Sequence, residues 1–189
     1  MINVKKLLNE ERSSESAPMG CLMAMFPKEM SEKILLFGKK IISEDDLYTE
    51  GNEFGREKEG HVTIRYGFTK DLTELDVRRL LEGQKPFTIE LYGLDQFKGQ
   101  PNNIEGAKTQ PYDVVFLKAK SPILEKLNEE TKKFPHKDTY GGVYRPHSTL
   151  AYVQPGKFPL ESREGFRIPV LVKTLCYSPI SGGKSYFDL

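Results

Sequence analysis

Apolar and polar positions along the chain fall into short runs that switch between period two and helical spacing. Gly20 to Phe26 is almost wholly apolar and predicts a buried strand. Pro27 suits the first turn of a helix to about Ile42, with Ile34, Leu35, Gly38 and Ile41 toward the core. A loop from Ser43 to Gly60 leads into a strand, His61 to Tyr66. Thr73, with Asp76 three positions on, predicts a capping box for a helix from Glu74 to Glu82. Phe87 to Phe97 alternates as a strand, with a bulge or bend at Tyr92-Gly93. Lys98 to Gln110 reads as a loop and Asp113 to Lys120 as a strand. Ser121 and Pro122 predict the N-cap and first position of a helix to about Phe134. The glycine-rich Thr139 to Pro146 then feeds a strand from His147 to Val153. Arg167 to Tyr177 and Lys184 to Asp188 read as strands joined through Ser181-Gly182-Gly183.

Strands and helices mixed with hairpins predict an α+β fold of mainly antiparallel sheet. Residues 1–19, a short helix and a Ser-rich stretch, read as an N-terminal extension to a single domain over 20–189. The N-terminus is too charged for a signal peptide, and no apolar run approaches a membrane span. A cytoplasmic protein is the expectation. Cys21 and Cys176 lie far apart in apolar runs and read as buried, reduced thiols. No spacing of Cys, His or acidic residues predicts a metal site, and no cofactor is expected.

Composition sharpens this only where charge and histidine enter. The 28 Lys+Arg nearly balance 27 Asp+Glu, for a net charge of +1. Such a balance argues against a protein that coats long nucleic acid, while leaving room for a pocket that binds a small anion. There are only three histidines, so histidine chemistry can be enumerated.

Two of the three share a motif. His61-Val62-Thr63-Ile64-Arg65-Tyr66 and His147-Ser148-Thr149-Leu150-Ala151-Tyr152 both read His-x-Thr-apolar-x-Tyr, with corresponding positions 86 apart (61 to 147, 63 to 149). A Thr two places after a given His arises by chance roughly 5% of the time in a chain of this composition, so two hits among three are not coincidence. On a strand, residues two apart project from one face, so each motif presents an imidazole beside a hydroxyl. Two similar lobes about a pseudo-twofold would bring both pairs to one cleft. One imidazole can then accept a proton from a nucleophilic hydroxyl while the other protonates a leaving oxygen. The Thr hydroxyls would hold non-bridging phosphate oxygens. The motif is symmetric, so it does not say which histidine is base. His136, in Lys133-Phe134-Pro135-His136-Lys137, lacks the motif and reads as an exposed loop residue; Tyr66 and Tyr152 read as structural.

The paired motifs resemble the 2H phosphoesterase superfamily, whose two His-x-Thr/Ser motifs sit in a bilobal α+β fold. The stretches Glu57 to Gly67, Tyr112 to Leu117 and Tyr144 to Val153 resemble phage-encoded members, related to the anti-CBASS cyclic-oligonucleotide nucleases. The likeness covers roughly Gly20 to Tyr177, and Ser148 departs from it where an apolar residue is more usual. It implies two pseudo-symmetric lobes, helices outside and a central cleft, with His61, Thr63, His147 and Thr149 catalytic. It also implies metal-independent cleavage of 3′–5′ bonds in cyclic di- or trinucleotides that signal phage infection, acting in the host cytoplasm if the gene is a phage's. The alternatives are a 2′,3′-cyclic phosphodiesterase or 2′–5′ RNA ligase-like enzyme on RNA ends, and a non-catalytic nucleotide sponge. For substrate contacts, Arg145 is expected at a phosphate, and Tyr144, Tyr112, Phe97, Asn102 and Asn103 near a base. Tyr186 and Phe187 are expected to form a lid.

Overall fold

The computed structural model describes residues 19–50, 54–100, 111–138, 142–159 and 167–189. Two four-stranded antiparallel sheets carry the chain. The first has the order β2-β1-β7-β8, from β1 (Gly20–Met25), β2 (His61–Phe68), β7 (Thr174–Ser178) and β8 (Ser185–Asp188). The second has the order β5-β4-β3-β6, from β3 (Phe87–Gln100), β4 (Tyr112–Lys120), β5 (His147–Val153) and β6 (Arg167–Val172). Helices α1 (Lys28–Ile41), α2 (Glu74–Leu80) and α3 (Pro122–Glu130) complete the α+β bilobal fold.

Each lobe repeats one unit: an inner strand, a helix, then an edge strand that opens on a His-x-Thr. The units are β1-α1-β2 and β4-α3-β5, and the edge strands β2 and β5 approach one another. The helices cross over. A Cβ at Gly38 of α1 would lie 3.5 Å from Leu150 Cβ on β5, and Asn128 of α3 donates its side-chain amide to the Ile64 carbonyl on β2 at 2.6 Å. Each helix thus supports the other lobe's histidine strand, and the lobes share one core that includes Leu22, Ile64, Leu117 and Leu150.

The bulge expected at Tyr92-Gly93 is present: the β3–β4 register shifts there and Gly93 adopts φ +56°. The capping box is also formed, with Thr73 Oγ1 accepting from the Asp76 amide at 3.1 Å and Asp76 accepting from the Thr73 amide at 2.9 Å.

Ser121 is the N-cap of α3 and Pro122 its first position, as expected, although the buried Ser121 hydroxyl makes no capping bond. Two expectations are corrected. Helix α3 ends at Glu130 and tightens into a 3-10 turn over Thr131–Lys133, because Thr131 Oγ1 donates to the Asn128 carbonyl at 2.5 Å. The run Arg167 to Tyr177 is two strands, since exposed Lys173 passes the chain from the second sheet to the first. Val172 and Leu175 are both buried across that switch, so the apolar pattern carries no mark of it. The expected N-terminal helix lies outside the described residues.

Candidate active site

Both motifs stand on bulged edge strands. In β2, Leu22 faces Arg65 while Met23 faces Thr63, so Ile64 is the extra residue. In β5, Val115 faces Ala151 while Phe116 faces Thr149, so Leu150 is the extra residue. Ile64 and Leu150 are corresponding positions, so the pseudo-twofold extends from sequence to backbone irregularity. Val62, Ile64, Ser148 and Leu150 are buried, leaving His61, Thr63, His147 and Thr149 half-buried on the opposite face.

The imidazoles are held alike. His61 Nδ1 lies 2.9 Å from the Glu59 carbonyl, and His147 Nδ1 lies 2.7 Å from the Arg145 carbonyl. A carbonyl only accepts, so Nδ1 carries the proton in each ring and Nε2 is left for chemistry. Gly60 lets β2 enter close to α1: its amide donates to Ser31 Oγ at 2.6 Å, and a Cβ there would meet Phe26 Cδ2 at 2.8 Å and Ser31 Cα at 3.1 Å.

A cleft of about 770 Å³ opens beside the pair, with Thr63 and His147 in its wall. Tyr144 and Arg145 line it, and the Tyr144 hydroxyl donates to the Thr63 carbonyl at 2.9 Å. Phe97 lines it too, and packs on His147 with ring centroids 5.0 Å apart at 85°.

A family comparison settles what this scaffold is. The 2′-5′ RNA ligase superfamily model matches residues 49–170, more than half of the chain. The chain belongs to the 2′-5′ RNA ligase superfamily. Its two His-x-Thr motifs make it a 2H phosphoesterase of that superfamily. Solved structures similar to it include TT0787 of Thermus thermophilus, at 16% identity over 90% of this chain and 94% of that one, with a TM-score of 0.48. A protein described as a phosphoesterase matches at 13% identity over 91% and 95%, with a TM-score of 0.45. E. coli LigT, complexed with 3′-AMP, matches at 16% identity over 91% and 94%, with a TM-score of 0.43. No curated protein matches the sequence.

Within this superfamily member the two histidines differ in surroundings. Phe116 as well as Phe97 packs on the His147 ring, with centroids 4.8 Å apart. Burial there lowers the pKa of His147 below the usual 6.5, and the nearby His61 adds to the lowering, while the bond to the Arg145 carbonyl opposes it. Lys118 is the cross-strand neighbour of His147. Near Thr63, burial pushes the Cys21 thiol up to about 12, against the opposing hydrogen bond with Thr63, so a neutral thiol sits beside that hydroxyl. Cys176 is a buried free thiol.

Other expected contacts lie elsewhere. Tyr112 packs against Tyr48, Phe54 and Tyr152 at 5.4, 4.8 and 5.6 Å, away from the cleft wall. Phe187 is in the core, because β8 pairs along β7 and turns that ring inward under the Arg78 guanidinium. Tyr186 is exposed on the same paired strand, so the two form no hinged lid. Asn102 and Asn103 lie outside the described residues.

Three cleft residues carried no sequence signal as site residues. Arg65 follows Thr63 on the same face, and its Nε and Nη2 donate to Thr131 Oγ1 at 3.1 Å and the Asn128 carbonyl at 2.9 Å. Asn128 itself lines the cleft. His136, read as an exposed loop residue, also lines it and is half-buried; the segment around it pairs with the outer edge of β2. Lone residues outside any repeat give no spacing to detect, though two-residue alternation from Thr63 would have pointed to Arg65. Among the described residues no group of three His, Cys, Asp or Glu stands where it could hold a metal ion, and no helix is long and apolar enough to cross a membrane.

Proposed function

We propose that this 2H phosphoesterase is a metal-independent phosphodiesterase that opens 3′–5′ bonds of cyclic di- or trinucleotide immune signals, a device by which a phage evades CBASS defence. The observation that carries the reading is the pair of imidazoles on corresponding bulged strands, each with Nδ1 committed to a carbonyl and Nε2 free. His147, kept neutral between Phe97 and Phe116, takes the role of base and leaves His61 that of acid. The proton of a ribose 2′-hydroxyl passes to His147 Nε2 as O2′ bonds to its own 3′-phosphorus. The bond from phosphorus to O5′ breaks, and His61, entering the step as the imidazolium with a proton on each nitrogen, gives its Nε2 proton to O5′ and keeps the one on Nδ1. Thr63 and Thr149 donate to the non-bridging oxygens. A linear product ending in a 2′,3′-cyclic phosphate results, and water opens it with the two roles exchanged.

Two features favour a compact ring over long RNA. The net charge is +1, too little for counterion-driven binding of a polyanion. The cleft of about 770 Å³ has the size of a small-ligand pocket. The likeness of the flanks of both motifs to phage-encoded proteins favours an antiphage signal. The superfamily match supports a second reading, a 2′,3′-cyclic phosphodiesterase or RNA ligase-like enzyme on RNA ends. Incubation with 3′,3′-cyclic GMP–AMP and a panel of adenine-containing rings in EDTA decides between them. Ring opening supports the proposal; no turnover across the panel, with cleavage of RNA bearing a terminal cyclic phosphate, overturns it. A pure sponge would bind the rings without turning them over.

A further inference from the structure

The catalytic strands are symmetric, but the ground beside them is not. Each is covered by the segment that follows the other lobe's helix. On β5 the cover comes from Leu47–Tyr48 and Gly55–Arg56: Tyr48 N donates to the Tyr152 carbonyl at 3.0 Å, and Tyr152 N donates to the Gly55 carbonyl at 2.8 Å. On β2 the cover is Pro135 to Lys137: Thr69 N donates to the Pro135 carbonyl at 3.1 Å, and Lys137 N donates to the Gly67 carbonyl at 2.8 Å.

Beside β5 the space is filled by the packed rings of Tyr48, Phe54, Tyr112 and Tyr152. Beside β2 it is open. Tyr66, the counterpart of Tyr152, is 36% exposed and lines the cleft with His136. Among the described residues, a ligand whose phosphate lies at the histidine pair therefore has room on the β2 side and not beside β5.

The chemistry of that side selects the ligand part. Its wall carries the carboxylates of Glu125 and Asp138, which can accept hydrogen bonds from N–H groups, while the third carboxylate, Glu129, is paired with Lys132 at 2.6 Å. His136 Nδ1 lies 2.8 Å from the Phe134 carbonyl, so the neutral ring keeps its proton on Nδ1 and offers Nε2 as a further acceptor. Tyrosine faces add a surface for a flat ring. The nucleobase presenting the most N–H donors on its pairing edge is guanine, with N1–H and the 2-amino group.

From this we infer that the open half of the cleft is a nucleobase subsite for a donor-rich purine, guanine above all, in which His136 accepts a hydrogen bond from the base edge. The inference rests on the reading that a nucleotide phosphate occupies the His61–His147 pair, but not on the substrate being a ring. Equilibrium binding of 3′-GMP and 3′-UMP, followed by calorimetry at pH 8, tests it without turnover. The wild-type protein should bind 3′-GMP about tenfold more tightly than 3′-UMP, the worth of one good hydrogen bond. His136→Ala should bring that preference within threefold, with the larger loss of affinity falling on 3′-GMP. His136→Asn, whose side-chain oxygen still accepts, should keep part of it, and a thermal melt checks that both variants fold. Equal wild-type affinity for the two nucleotides, or a preference that survives in folded His136→Ala, would overturn the subsite. Failure to open rings with the guanine preference intact would instead overturn only the cyclic-nucleotide reading.

Discussion

Ser148 sits between His147 and Thr149 on β5 and is fully buried, yet its hydroxyl has no hydrogen-bond partner among the described residues. Its cross-strand neighbour is Leu117, and its counterpart on β2 is Val62, both at 0% exposure. Burying an unpaired hydroxyl costs about 1–3 kcal/mol. Ser148→Ala removes that cost and keeps Cβ, deleting one oxygen and less packing than a methylene, itself worth about 0.8 kcal/mol. The variant should therefore gain about 1 kcal/mol, a rise in Tm of about 2–4 °C for a chain of this size. Urea unfolding followed by circular dichroism measures the gain, and kcat/KM measured alongside should stay within twofold of wild type. A loss of more than about 0.5 kcal/mol, or a tenfold loss of kcat/KM, would show that the hydroxyl has work to do at the site and refute the reasoning.

Gly38→Ala should stabilise by about 0.5–1 kcal/mol in thermal melts, because the position is helical, in the last turn of α1, and the new Cβ meets Leu150 at ordinary contact distance. Tyr177→Phe should cost about 1–3 kcal/mol in urea unfolding, since the hydroxyl accepts from the Leu72 amide at 2.8 Å and its loss orphans that buried donor. The lowered pKa of His147 should place the acid limb of the kcat/KM profile below 6.5, and Phe97→Ala, by hydrating the ring, should move it up toward that value. The same shift has a stability sign: the unfolded chain binds this proton first, so the contribution of His147 falls as pH drops below 6.5 toward its folded value.

The site was legible where sequence repeats and where local chemistry is self-contained. The two His-x-Thr motifs announced themselves by spacing, the Thr73–Asp76 box by a three-residue offset, and the Tyr92-Gly93 bulge by a glycine inside an alternating run. What stayed hidden depends on chain crossings. Nothing in Pro135-His136 says that the segment will lie along β2, because its bonds are to the backbone of Gly67 and Thr69. The ring cluster that closes the other side joins residues 48, 54, 112 and 152, which no local window unites. Phe187 misled for a related reason: a glycine-flanked terminal strand reads as free until β7 is seen pairing with it. The Ser148 departure was visible as an oddity, but its cost became measurable only with its burial.

The central claim is that His61 and His147 act as one acid–base pair on a single phosphodiester. Its most direct test is kcat/KM of His61→Ala, His147→Ala and the double variant on an opened ring substrate, all in EDTA. The account predicts wild-type activity undiminished by EDTA and a loss of about 10²–10⁴ in each single variant with substrate binding retained. The double variant should fall less than the product of the two losses. A single variant within tenfold of wild type, or activity abolished by EDTA, would contradict it.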